Sequence, residues 1–257
     1  MSIKMQRHPH HICVLTTQRS GSTWLMQLLN GTGAIKAYGE VFLEWAHVEN
    51  HAGDKQLLPP MFFPDYVEKT GSRNVAGYLD EIEKSDTRSL AFKIMYDQVR
   101  RNPSILWAPV RRDYVIVHLT RKNLLHVVMS RLLARETRVY HSRTKINQPV
   151  ITADPAAVMS MLKRLEWQTK LARLAIRLLP CRKIEVCYED LVAHPESEID
   201  RMLRLADIPS PGHRTRQDFW TKTNVRAPSQ VFGNYDIIAG TVSKSRYAWM
   251  LEGIPNV

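Results

Sequence analysis

The stretch TTQRSGSTWLMQLL, residues 16–29, decides how this chain is read. An apolar run, Ile12, Cys13, Val14 and Leu15, leads into Gly21 with hydroxyls on both sides, and a helix-like apolar pattern follows. The first N–H groups of a helix lack internal partners, so a tight turn that opens a helix gathers donors for an anion. Ser20, Gly21, Ser22 and Thr23 suit that task, since glycine admits close backbone approach and the hydroxyls add donors. Arg19 adds a permanent charge on a planar fork. The pattern G-x-x-x-x-G-K-[ST] occurs nowhere in the chain, so the usual cradle for a magnesium-bound triphosphate is missing. Taken alone, the stretch is also compatible with an ordinary strand–turn–helix corner bearing an exposed arginine.

Working outward, strand-like runs occupy residues 11–17 (HICVLTT), 89–95 (SLAFKIM), 114–120 (YVIVHLT) and 183–189 (KIEVCYE). Three of the four have the near-continuous Val, Ile and Leu content of strands covered on both faces. Helical patterns lie between them. One starts at Ser22 and closes at Gly31 and Gly33; another follows an N-cap at Asn123 and carries Leu124, Val127, Val128 and Leu132. A third opens on Asp154-Pro155 and stops at Pro180, and a fourth begins near Pro195. The alternation predicts an α/β fold with a central parallel sheet flanked by helices. Residues 49–70, with Pro59, Pro60 and Pro64, and the tail beyond Pro209 read as irregular. The chain is expected to form one domain over 1–257, a core to 207 and a segment 208–257 that covers a ligand site.

Of the 257 residues 44% are hydrophobic, enough for a substantial core, and the formal charge of +11 favours an anionic partner. Three cysteines, Cys13, Cys181 and Cys187, are few and odd in number. Cys13 and Cys187 lie in apolar strand-like runs and read as reduced core residues, with no metal-site spacing. The N-terminal stretch lacks a signal-peptide core, and no apolar run approaches the roughly 18 residues of a membrane span. A cytoplasmic protein without a membrane span is the expectation.

The stretch HLTRKNLLHVVMS, residues 118–130, repeats the logic of the first. Arg121 stands just past a strand, Asn123 opens a helix, and Ser130 lies two helical turns on, on the same face. Arg121 and Ser130 could together hold one phosphate. The pair QRSGST and LTRKNLLHVVMS resembles the sulfotransferases that use 3'-phosphoadenosine 5'-phosphosulfate (PAPS). Within that superfamily the stretches YGEVF (38–42), FKIMYDQ (92–98), RETRVYH (135–141) and IEVCYEDL (184–191) are most similar to the bacterial carbohydrate group, which includes the trehalose and nodulation-factor types.

The resemblance implies a P-loop-like sulfotransferase fold and PAPS as donor co-substrate, without a metal. It places the 5'-phosphosulfate on the first motif, with Arg19, Ser20, Gly21, Ser22, Thr23 and Trp24, and the 3'-phosphate on Arg121 and Ser130. The basic charge then matches a donor carrying about four negative charges. Glu40 stands at the family's general-base position, with Glu44 and His47 as rivals nearby and His118 and His126 flanking the second motif. Arg19 occupies a position where many relatives have lysine and is expected to stabilise the leaving phosphate oxygen. Lys93 is either a second cation at the site or a strand lysine reaching for solvent. Trp24 packs near an adenine or in the core, and Lys222 and Arg226 would close over the donor from the tail.

The implied acceptor is a small molecule or glycolipid, with a carbohydrate hydroxyl foremost, and relatives of this group can form homodimers. Two other functions remain open. A P-loop nucleotide kinase or phosphotransferase would carry a Walker lysine and an aspartate for magnesium, and neither is evident. A nucleic-acid binder would interleave its arginines with exposed aromatics, whereas the basic residues here are dispersed.

Overall fold

The structure, a computed structural model, describes residues 10–43, 55–137, 150–210 and 228–252. Strands buried on both faces build its centre. Strands β1 (Ile12–Thr16), β2 (Ile35–Glu40), β3 (Ser89–Met95), β4 (Val115–Thr120) and β5 (Lys183–Cys187) form one parallel sheet in the order β2-β3-β1-β4-β5. Alternate side chains leave opposite faces. Ile12, Val14, Ala91, Val115 and Val117 meet one helical layer, while Cys13, Leu15, Phe92, Ile94 and Ile116 meet the other.

The first layer holds α1 (Ser22–Gly31), through Leu25, Met26 and Leu29, and α9 (Pro195–Leu205), through Ile199, Met202 and Leu203; the short α8 (Tyr188–Ala193) adds Leu191. On the opposite face lie α2 (Phe63–Thr70), α3 (Val75–Glu83), α4 (Tyr96–Arg101) and α5 (Ser104–Arg111). They contribute Tyr66, Tyr78, Leu79, Ile105 and Val110 to the buried cluster on that side. A third cluster joins α6 (Leu124–Thr137), α7 (Pro155–Arg177), α10 (Pro228–Val231) and α11 (Tyr235–Ser243). This is an α/β fold whose sheet is covered by helices on both faces.

Expected boundaries and observed ones differ where local chemistry competes. Asn123 is the N-cap of α6, its Oδ1 accepting the His126 N–H at 3.3 Å. Asp154 caps α7 through Ala156 and Ala157. The segment 49–70, read as irregular, contains α2, because Pro64 falls in the first turn, where its missing N–H costs nothing. The tail beyond Pro209 likewise contains α11, whose Ile238 and Val242 are buried against α6 and α7. Strand β2 escaped notice because Lys36 and Gly39 interrupt a short edge strand. Strand β5 is the other edge; its burial is partial and Cys187 is only half-buried, not a core residue. Cys13 is fully buried.

The outgoing connections give the fold its crevice. From β1 the chain crosses to β2 on one side of the sheet, and from β4 it crosses to β5 on the other. Parallel α/β sheets bind ligands at such a reversal, beyond the carboxyl ends of the strands. Here that point lies between β1 and β4, where the two arginine-bearing loops emerge.

One buried tyrosine braces the β2 end of this edge. Tyr78 packs against Phe42, Phe63 and Tyr66, and its Oη lies 2.9 Å from the carbonyls of Val41 and Met61. Tyr78→Phe removes the hydroxyl shared by the Val41 and Met61 carbonyls, of which Val41 keeps the Phe63 N–H at 3.2 Å. A loss of about 1–3 kcal/mol is expected, read as a lower denaturant midpoint with an unchanged slope.

Candidate active site

The loop after β1 is folded back on itself. Arg19 has φ 65° and Gly21 φ 90°, both left-handed; for arginine this conformation costs roughly 1–2 kcal/mol and must be held by its surroundings. Three ties hold it. Thr16 Oγ1 donates to the Leu119 carbonyl at 2.7 Å and accepts from the Ser20 hydroxyl at 2.7 Å, joining the ends of β1 and β4. Arg121 Nη1 donates to the Arg19 carbonyl at 3.3 Å. From α6, Arg131 Nη2 donates to the Thr17 hydroxyl and, at 3.4 Å, to the Gln18 carbonyl. Gly21 is required for a second reason: a Cβ there would stand 2.1 Å from the Tyr188 ring.

The side chains of this loop meet those of the β4–α6 loop. Arg19 Nε donates to Ser130 Oγ at 2.7 Å. Arg121 lies over the Tyr188 ring, 4.5 Å from its centroid, with Glu189 3.8 Å away. The sequence reading gave Arg19 to one end of a ligand and Arg121 with Ser130 to the other; the structure joins all three in one cluster. Burial lowers the pKa of Arg19, Arg121 and Arg131 alike, and the Arg121 charge lowers that of Arg19 further. All three remain cations, because guanidinium does not lose its proton in proteins.

Glu189 is the carboxylate within ion-pair reach of Arg121, and most of its capacity is used elsewhere. Its oxygens accept the N–H groups of Lys122 and Asn123 at 3.0 and 3.2 Å, and the Cys187 thiol at 3.0 Å. Burial pushes its pKa up, yet these hydrogen bonds outweigh burial and hold the carboxyl below its usual range. Two buried donors, Arg121 Nε and Arg131 Nε, make no hydrogen bond among the described residues. Buried guanidinium N–H groups left in this state, where three cations converge on one loop, suit a bound anion.

A second cluster lies against the first. A bulge in β2 sets Glu40 opposite Lys93 of β3. Lys93 is only 3% exposed; its Nζ donates to Thr23 Oγ1 at 3.0 Å and stands 3.7 Å from Glu40 Oε1. Lys93 is thus a buried ammonium turned toward α1 and not a strand lysine reaching for solvent. Burial lowers its pKa, Glu40 opposes that shift, and the charge of Arg19 adds to it, so the two clusters share one electrostatic environment.

The remaining candidates are placed as follows. The Ser20 hydroxyl is buried and turned to Thr16, and Ser22 is buried in the first turn of α1. Trp24 is half-buried and meets Tyr188 edge-on, ring centroids 6.0 Å apart. His118 is buried with its Nε2 2.7 Å from Tyr96 Oη, and its Nδ1 is 3.4 Å from Glu185, outside hydrogen-bond geometry; burial lowers its pKa. It shares a side of β4 with Ile116, away from Lys93. Glu44, His47, Lys222, Arg226 and part of RETRVYH lie outside the described residues.

Sequence reading missed Tyr188, Glu189 and Arg131. The first two sit in IEVCYEDL, where only chain folding shows that they turn toward Gly21 and Arg121. Arg131 directly follows Ser130, and its charge on a helix otherwise facing the core was the available signal. No group of three or more His, Cys, Asp or Glu gathers as a metal set among the described residues; what gathers here is cationic.

Lys93 gives a pH signature. Its folded pKa lies below the ordinary 10.5, so between the two values the unfolded chain binds the extra proton. Stability from this group therefore rises with pH across that window. The stability of the wild type relative to Lys93→Met should increase as pH climbs toward 10.5, measured by denaturant titration at each pH; a flat difference would mean that Lys93 holds its proton equally in the folded and the unfolded chain.

No protein-family model matches the sequence, and no curated protein matches it either. Among solved structures, the chain is similar to the sulfotransferase domain from the curacin biosynthetic pathway, at 14% identity over 93% of this chain and 99% of that one, with a TM-score of 0.49. It is similar to a mouse sulfotransferase complexed with PAP, at 12% identity over 95% of this chain and 87% of that one, TM-score 0.49. It is also similar to a sulfotransferase from Alicyclobacillus acidocaldarius, at 11% identity over 96% and 97% of the two chains, TM-score 0.46.

Proposed function

We propose that this chain is an enzyme that moves a sulfuryl group from PAPS to a hydroxyl of an acceptor, with a carbohydrate or glycolipid as the acceptor class. One observation carries the reading. The loops after β1 and β4 bring Arg19, Arg121 and Ser130 together at the reversal of the sheet, and Glu40 with Lys93 stands beside them. Phosphate-type oxygens and a proton acceptor thereby have places in one crevice.

The donor would be held by cations and hydroxyls. Arg121 and Ser130 take a phosphate, and the free Nε of Arg121 gives it a ready N–H. Arg19, whose Nε donates to Ser130, turns its planar fork to a second anionic group. Tyr188 and Trp24 offer flat surfaces next to Gly21 for a base or ribose.

In the transfer, the bond between sulfur and the bridging phosphate oxygen breaks as one forms between sulfur and the acceptor oxygen. Charge grows on the leaving oxygen, and Arg19 and Lys93 neutralise it as fixed cations. Glu40 accepts the hydroxyl proton, and Lys93 holds its carboxylate in place across 3.7 Å. The rest is positioning, as in phosphoryl transfer. PAPS supplies the activated sulfuryl group; the chain supplies orientation, charge and a base.

Arg121→Ala should weaken binding of adenosine 3',5'-bisphosphate by about 10- to 100-fold, since a charge-assisted phosphate contact is worth roughly 1.5–3 kcal/mol. The measurement is the bisphosphate-induced rise in Tm without magnesium; an undiminished rise removes Arg121 from the site, and a preference for magnesium-ATP favours a kinase instead.

Glu40→Gln keeps shape and loses basicity. Turnover of a sugar acceptor should fall by 10²-fold or more, the usual scale of a general base, while the bisphosphate shift persists. Full turnover in this variant would move the base to another residue.

A further inference from the structure

Helix α7 has a second apolar face. Its core side buries Val158, Leu162, Leu165 and Ile176. On the other side Trp167 is 64% exposed, Leu171 49%, Leu174 56% and the C-capping Leu178 78%. Steps of four, three and four residues put these side chains in one line along the helix. Single exposed apolar residues are ordinary, but a continuous row of four large ones marks a contact surface.

The charge beside the row identifies what it contacts. Lys163, Lys170 and Arg177, all exposed, recur every seven residues and form a parallel row on one flank, about 21 Å long at 1.5 Å per residue. Arg164 is exposed on the other flank. The helix carries these four bases and Arg173 against a single acid, Glu166. Glu166 is engaged by Lys170, Arg246 and Tyr247, and the nearby Glu185 by Arg173. Two copies of α7 packed antiparallel about a twofold axis would set the basic row against itself, so self-association is disfavoured. A flat anionic partner meets both rows at once. Apolar side chains with Trp and Leu enter the headgroup boundary of a bilayer, and lysine and arginine at the edge bind its phosphates. The chain's net charge of +11 acts in the same direction at longer range.

We propose that the exposed face of α7, Trp167, Leu171, Leu174 and Leu178 bordered by Lys163, Lys170 and Arg177, docks on the surface of an anionic lipid bilayer. The inference stands apart from the sulfotransferase reading, because vesicle binding is measured without turnover.

The test is co-sedimentation of the full chain with phosphatidylcholine vesicles that contain or lack phosphatidylglycerol. The wild type should bind the anionic vesicles at least tenfold more tightly than the neutral ones, and added salt should weaken that binding. Leu171→Glu with Leu174→Glu should lower anionic-vesicle binding at least tenfold. Lys163→Glu, Lys170→Glu and Arg177→Glu together should abolish the preference for anionic lipid. The charge set lies at exposed positions, so it reads the proposal independently if the leucine pair disturbs folding; circular dichroism and Tm report on that. Vesicle binding untouched by either set, or no vesicle binding by a folded wild type, overturns the proposal. So does a concentration-dependent dimer, dispersed by the leucine pair, in a wild type that ignores lipid.

Discussion

A buried cluster of positive charge shapes this molecule. Arg19, Arg121 and Arg131 converge on one short loop, all pushed toward the neutral form by burial. Glu189, 3.8 Å from Arg121, is largely spent on backbone N–H groups. Such an arrangement persists because the guanidinium groups also serve as struts. Arg121 and Arg131 donate to the loop's own carbonyls, which holds Arg19 in a backbone conformation it would not choose. The same groups that fix the loop thus create its appetite for an anion.

The pairing of Lys93 with Glu40 extends that logic to chemistry. An ammonium buried in a sheet is costly, and its nearest partners are a hydroxyl and a carboxylate on neighbouring elements. The β2 bulge that brings Glu40 to Lys93 is a local departure from regular pairing, of the kind that re-aims a side chain next to a functional crevice. Acid, cation and hydroxyl are then held by β2, β3 and α1 and not by mobile loops, which favours accurate positioning of reactants.

Much of the fold is legible in the residues. Strands β1, β3 and β4 are covered on both faces and announce themselves as apolar runs, and α6 and α7 carry caps at Asn123 and Asp154 that state where they start. Edge strand β2 was illegible because Lys36 and Gly39 break up its short apolar run. Helices α2 and α11 were masked by prolines and by weak periodicity, since short helices draw their stability from tertiary contacts more than from their own sequence.

For the site, composition and order determined which groups were available: a glycine turn with Arg19, an arginine at a strand end with a serine two turns on, and a glutamate after the first helix. Those are local facts, fixed by spacing along one chain. That Arg19 rests on Ser130, that Lys93 points at Glu40, and that Tyr188, Glu189 and Arg131 belong to the same crevice were decided by the tertiary structure alone. Their separations in sequence run to more than a hundred residues, and only the strand order β2-β3-β1-β4-β5 brings them within a few ångströms.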